Sequence, residues 1–236
     1  MISVIIPTLN CEATLPACLS ALIPAVVDGL VREVIIADGG SSDRTGQIAE
    51  SSGADRVSTG PARSNQLIAG AEKARFPWLL FLPPDAIPGA GWEREVETHI
   101  AKVDAGERKT GAGVFAFEID DSGLAPRVVE TGTWLGQAIF GYACAEQGLL
   151  VSRALYAAAG GFQPLEALED LDLTRRLGRR QLTRFRTPLL TAIEHYPKGY
   201  GIHSWHYGVS LALYGLKGPA GRIAALGSRR ARSASL

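Results

Sequence analysis

Residues 78–89 read WLLFLPPDAIPG. Trp78 to Leu82 form an apolar run with the length of a strand buried on both faces. Pro83 and Pro84 end it, because proline cannot donate to a sheet ladder, and a single carboxylate, Asp85, follows at once. A core strand that delivers one acid at its end is either a loop carrying a solvated aspartate or one wall of a site. The neighbouring sequence favours the site.

The same construction recurs upstream. Ile2 to Pro7 (ISVIIP) is a β-branched run stopped by proline, with Thr8 to Asn10 behind it. In REVIIADGGSSD the spacing predicts a strand over 34–37, then Asp38 and a Gly-Gly turn, with Ser42 or Asp43 placed to cap the next helix. DRVST predicts a short third strand that leads into Gly60 to Arg63. Leu15, Leu19, Leu22 and Val26 have helical spacing over 12–27, where Pro24 is expected to bend or end the helix. Another helix is predicted over 62–75. Strands and helices therefore alternate, and the strands are apolar throughout. This is the α/β pattern of a mostly parallel sheet flanked by helices. In such sheets ligands bind beyond the carboxyl ends of the strands, and four polar positions fall there together.

The second half has a different texture. GVFAFEID (113–120) alternates like a half-exposed strand, and QGLLVSR (147–153) predicts another. YAAAGGF reads as a short helix closed by glycines. LEALEDLDLTRRLGRR (165–180) is a helix with acids early and arginines late, as the helix dipole favours. LTRFRTPLL suits a last strand, and 203–216 (HSWHYGVSLALYGL) an amphipathic helix. No internal repeat and no long linker interrupts this order.

The bulk numbers exclude several classes. Lys and Arg total 24, as do Asp and Glu, so overall charge offers no case for nucleic acid as a partner. Only the end is locally basic, with Arg222, Arg229, Arg230 and Arg232. Cys11, Cys18 and Cys144 are odd in number and include no C-x-x-C pair, against a disulfide framework or zinc site. No signal peptide is expected, and no apolar stretch approaches the ~20 residues that span a bilayer. The expected location is cytoplasmic.

VIIPTLN, IIADGGSSDRT, ARSNQLIAGAEKA, the step into Asp85 and GGFQPLEALEDLDLTRRL occur in this order along the chain. Together they resemble the family 2 glycosyltransferases, which have the GT-A fold. The resemblance spans about residues 1–195 and is strongest to short, soluble bacterial members. It implies one domain over 1–200, with a nucleotide-binding half at 1–90 and an acceptor half at 91–200. A C-terminal amphipathic helix over 201–225 and a basic flexible tail over 226–236 would follow.

The resemblance also implies a chemistry: inverting transfer of a sugar from a UDP- or GDP-sugar to an acceptor hydroxyl. Pro7, Thr8, Asn10, Asp38, Gly39, Arg63 and Asp85 would form the nucleotide site, with Asp38 accepting from a ring N–H and Arg63 facing the diphosphate. Mn²⁺ or Mg²⁺ takes oxygen ligands, and Asp85 matches the metal-gripping acid of the family's Asp-x-Asp motif. Pro83 and Pro84 replace the other two positions of that motif, and Asn65 stands where nearer relatives have a second basic residue. His195 is a candidate second ligand, and equally a surface or core histidine. His203 and His206 are spaced for a metal but suit packing better.

Asp170 corresponds to the catalytic base, with Glu169 orienting the acceptor or sharing the role; acids also belong in the first turn of any helix. Trp134, Tyr142 and Glu146 are acceptor-side candidates, since sugars stack on aromatic faces and bond to carboxylates. The acceptor itself is open and could be lipid-linked. The terminal helix could then lie on a membrane surface, cap the sheet or form a homodimer. The altered Asp-x-Asp leaves a second reading, a non-catalytic GT-A module that binds a nucleotide or a partner protein. A nucleotidyltransferase or a Rossmann dehydrogenase would need a glycine-rich loop after the first strand, and PTLNCEATLP has none.

Overall fold

Strand β1 (Ile2–Thr8) is buried at every position, Ser3 and Thr8 included, the outcome expected of a largely apolar strand with a parallel neighbour on each side. In this computed structural model the described residues are 1–119, 123, 126–128, 130–131, 143 and 145–191. After β1 come α1 (Leu15–Val27), β2 (Val31–Asp38), α2 (Thr45–Ser51), β3 (Asp55–Ser58), α3 (Arg63–Lys73) and β4 (Trp78–Phe81). The strands β1 to β4 are mutually parallel in the order β3-β2-β1-β4. Successive strands thus step outward on one side of β1, and the chain then crosses to its other side. That reversal is the topological switch point at which α/β sheets bind ligands.

Beyond β4 the sheet turns mixed. The elements are β5 (Ile87–Pro88), α4 (Trp92–Asp104), β6 (Ala112–Ile119), β7 (Leu149–Ser152), α5 (Arg153–Ala158), α6 (Glu169–Leu177) and β8 (Leu182–Thr191). The full order is β3-β2-β1-β4-β7-β6-β8-β5. β7 runs antiparallel to β4 with Leu149 opposite Phe81, so the 3₁₀ turn Ala145–Gln147 arrives beside the end of β4. β6 is antiparallel to β7, and β8 is parallel to β6, so β6 and β8 finish at the same edge.

Two apolar layers cover the sheet. Leu15, Cys18 and Leu22 of α1 and Trp92, Val96 and Ile100 of α4 share one core with Leu80, Phe115 and Phe185. Leu67 and Ala71 of α3 and Leu173 and Leu177 of α6 share the other with Ile5, Leu79 and Val114. α3 lies close on β1: a Cβ at Gly70 would stand 2.3 Å from Ile5 Cγ2. At the amino ends of the strands a buried polar knot replaces apolar packing. The Ser3 hydroxyl donates to Glu33 (2.6 Å), and the Arg75 backbone N–H and Nε donate to the same carboxylate.

Most predicted elements are present, with strands two and three close to their expected places. Pro24 does not end α1, which runs to Val27; the Pro24 carbonyl accepts from Asp28 N (2.9 Å) and closes the last turn. Asp43 rather than Ser42 serves the start of α2, accepting from Thr45 N at 2.9 Å. Helix α4 was not predicted. The helix expected over 203–216, with the segments 201–225 and 226–236, lies outside the described residues.

Candidate active site

The loops after β1 and β2 are bound to each other. Asn10 adopts a left-handed conformation (φ 53°), which asparagine tolerates better than most residues. Its N–H donates to Ser41 Oγ (2.9 Å), and its Oδ1 accepts from Ser42 N (2.9 Å). Cys11 N donates to Thr45 Oγ1, Glu12 N to Asp43 Oδ2, and Gly39 N to the Thr8 carbonyl. Gly39 lies tight against its neighbours: a Cβ there would displace the Gln66 amide, whose Nε2 would be at 2.2 Å, and press on the Pro61 backbone at 3.2 Å.

Asp38 is the hub of this assembly and has no exposed surface. Oδ1 accepts from Ser41 Oγ (2.6 Å), Ser41 N (3.2 Å) and Thr8 Oγ1 (3.5 Å), and Oδ2 accepts from Arg56 Nη2 (2.6 Å). Burial pushes its carboxyl up, but these hydrogen bonds and the Arg56 charge outweigh that and hold it below the ordinary value. The expectation was an acid open to a nucleobase. In the structure its oxygens accept from Thr8, Ser41 and Arg56, so the carboxylate joins the loops after β1 and β2 and the strand β3.

Asp85 sits in the turn after β4, where Ala86 N donates to the Pro83 carbonyl, and is nearly buried at 6% exposure. The Cys18 thiol donates to the same carbonyl (3.6 Å). Burial pushes that thiol up to about 12, and the charge of Asp85 adds to the shift. Cys11 is raised in the same way by burial, with Asp43, Asp85 and Asp38 all contributing. The fields of Asp38 and Asp85 therefore meet on the loop after β1, as the switch-point topology requires.

The second cluster joins the two halves of the chain. Leu168 takes a left-handed turn (φ 64°) into α6 and presents Glu169 and Asp170 at the helix start. Arg63, the first residue of α3, donates through Nη1 to both Glu169 Oε1 and Asp170 Oδ2. Ser64 Oγ anchors the approach by donating to the Leu165 carbonyl at 2.7 Å. Burial drives the Asp170 carboxyl upward; Arg63 opposes this, Glu169 and Glu146 add to it, and the net direction is up. Arg63, expected to face a diphosphate, is here the cation that holds the acid pair.

The structure thus brings Thr8, Asn10, Asp38 and Gly39 into one set and Arg63, Glu169 and Asp170 into another. Pro7 is within β1, paired with Ala37. Glu146 lies beside the end of β4, and its charge reaches Asp170. His195, Trp134 and Tyr142 lie outside the described residues. Arg56, Ser41 and Gln66 belong to the site and were not predicted. Arg56 carried the one available signal, a basic residue one position into a strand whose partner ends in an acid.

Among the described residues no group of three or more His, Cys, Asp or Glu side chains is arranged around a metal position. Asp85 offers one carboxylate. Mg²⁺ and Mn²⁺ are commonly held by one or two carboxylates together with substrate phosphates. The residues present therefore fit a cation shared with a bound diphosphate.

Comparison with known proteins supports the fold. Residues 3–108 match the model of Glycosyl transferase family 2. A search of curated proteins gave no match. Among solved structures, glucosyl-3-phosphoglycerate synthase of Mycobacterium tuberculosis aligns at 22% identity and TM-score 0.59, over 90% of this chain and 79% of that one. The same enzyme with Mn²⁺, UDP and glucosyl-3-phosphoglycerate aligns at 22% identity and TM-score 0.57, over 80% and 70%. A mycobacterial protein aligns at 22% identity and TM-score 0.60, over 81% and 66%. From residue 3 to residue 108 this chain is similar to Glycosyl transferase family 2, and it carries the mixed α/β fold of the GT-A type.

Proposed function

We propose that this protein is an inverting glycosyltransferase that moves a sugar from a nucleotide-diphosphate sugar to an acceptor hydroxyl. The observation that carries the reading is the Glu169–Asp170 pair. It is brought across 106 and 107 residues of chain to Arg63, at the sheet edge where β1, β2 and β4 end. Acids in a helix start need no such partner. A buried acid whose net pKa is raised, placed at the switch point, supports a general base there.

In this reading Asp170 removes the proton from the acceptor oxygen, its raised pKa bringing it nearer the working range. The freed oxygen forms a bond to the anomeric carbon as the bond from that carbon to the diphosphate oxygen breaks. The nucleoside diphosphate leaves with the electron pair, and a single displacement inverts the anomeric centre. Glu169 and Glu146 orient the acceptor. Thr8, Asn10, Gly39 and the Asp38–Arg56 pair shape the nucleoside side. Asp85 would hold Mn²⁺ or Mg²⁺ with the diphosphate, and such an ion supplies charge stabilisation to the leaving group. UDP and Mn²⁺ accompany the neighbouring enzyme of the same fold, which favours a UDP-sugar as donor. A phosphorylated small-molecule acceptor has the same support, since phosphoglyceric acid accompanies it too.

Calorimetric titration with UDP and with GDP, each with and without Mn²⁺, tests the donor site. UDP binding strengthened by Mn²⁺ is expected, and Asp85→Ala should remove the metal-dependent part. Absence of binding by either nucleotide under every condition would overturn the reading.

A further inference from the structure

On the other side of the sheet from α6, helix α4 and the first half of β8 border an open cavity of about 710 Å³. Its size is that of a small-molecule site. Arg94 and Lys102 of α4, Arg108 behind it, and Arg184 and Arg186 of β8 line the cavity, with His99 among them. Glu95 is the single acid in the lining, and its oxygens are occupied. They accept from the Arg186 N–H (2.8 Å), the Thr187 N–H (2.9 Å) and the Thr187 hydroxyl (2.6 Å). Among the described residues Arg94, Lys102 and Arg186 form no salt bridge.

His99 adds a second observation. It is 2% exposed, packed edge-on against Trp78 and Phe185, and its Nδ1 faces Arg108 Nη1 at 3.2 Å. An arginine can only donate, so Nδ1 is the acceptor and Nε2 carries the hydrogen, without a partner. Burial and the Arg108 charge hold the ring neutral, with its pKa lowered to about 4. In a protein of zero net charge, a cavity bordered by five basic side chains and one acid, itself engaged by backbone and hydroxyl donors, presents a local field that favours an anion. Guanidinium groups match phosphate geometry, and several can serve one phosphoryl group.

We propose that this cavity is a second binding site, for a ligand bearing one or more phosphoryl groups, separate from the Arg63–Glu169–Asp170 cluster. It is carried by a different helix on the opposite face, and it stands whether or not the chain transfers sugar. The phosphoryl group could belong to a soluble metabolite or to a lipid headgroup.

The test uses the full chain and inorganic pyrophosphate at low salt. Calorimetry should show binding, and amide exchange should show protection over 91–108 and 182–187. Arg94→Ala combined with Lys102→Ala alters only exposed side chains, and should weaken the binding by roughly tenfold or more at an unchanged melting temperature. Co-sedimentation with phosphatidylcholine vesicles, with and without phosphatidic acid, separates the sources. Capture that needs phosphatidic acid and is lost in the double variant assigns a headgroup; pyrophosphate binding without capture assigns a soluble ligand. Neither binding nor capture, equal affinity in the double variant, or protection confined to other segments would overturn the proposal.

Discussion

Asp170 is an acid surrounded by opposing influences. The helix start and Arg63 favour its charge, while burial and two neighbouring carboxylates oppose it. Its identity as base is tested by Asp170→Asn, which preserves size and a hydrogen bond to Arg63's neighbourhood but cannot take a proton. Transfer should fall by about 10²–10⁴-fold with nucleotide affinity roughly unchanged. A normal turnover rate in that variant would remove Asp170 from the role. Asp38 shows the converse lesson. The same residue type, at an equivalent strand end, is saturated by four donors and spends its charge on architecture.

At the scale of elements, α3 sets the position of Arg63, and Gly70 sets the distance of α3 from β1. A methyl group at Gly70 would overlap Ile5. Alanine gains up to about 1 kcal/mol in helix propensity over glycine, whereas overpacking costs about 1–3 kcal/mol, so the clash wins. Gly70→Ala should lower the melting temperature; a rise would show that the helix can shift without strain.

Helix α4 carries a different prediction through His99. Its folded pKa of about 4 lies below the ordinary 6.5, so between those values the unfolded chain binds a proton that the folded chain refuses. The stabilisation is fully present above about pH 6.5 and fades as pH falls toward 4. The loss is on the order of a few kcal/mol. Urea unfolding of the wild type at pH 7 and at pH 4.5 should reveal it, and His99→Gln should narrow the difference. An equal pH dependence in the variant would assign the effect to other groups.

Across the whole molecule, Arg63 ties the first half to the second. Arg63→Ala would leave Glu169 and Asp170 together without their cation, at a cost of about 1–3 kcal/mol for this partly exposed group. Without the arginine the Asp170 carboxyl rises further, because Arg63 is what opposes its burial. The destabilisation should therefore be greatest at neutral pH, where Asp170 is charged, and should shrink as acid protonates it. Denaturant unfolding at pH 7 and pH 5 checks this; a deficit that is constant with pH would mean that lost packing, and not charge, is responsible. Arg63 thus acts with the Ser64–Leu165 hydrogen bond and the shared apolar layer in fixing two distant chain segments.

The sequence by itself determined the alternation of apolar strands and helices, the polar residues at the ends of β1, β2 and β4, and the acids at the start of α6. These are local properties, because each element's periodicity and its terminating prolines or glycines report on that element alone. Helix α4 was legible by the same rule, through Trp92, Val96, Ile100 and Val103 at helical spacing, and its polar face obscured it. Only the tertiary structure decided that Arg63 would meet Glu169 and Asp170, that Arg56 would close Asp38, and that five basic side chains would line one cavity. Strand order and the antiparallel insertion of β7 create those meetings. They depend on which elements neighbour one another in space, and residue spacing within a single segment holds no record of that.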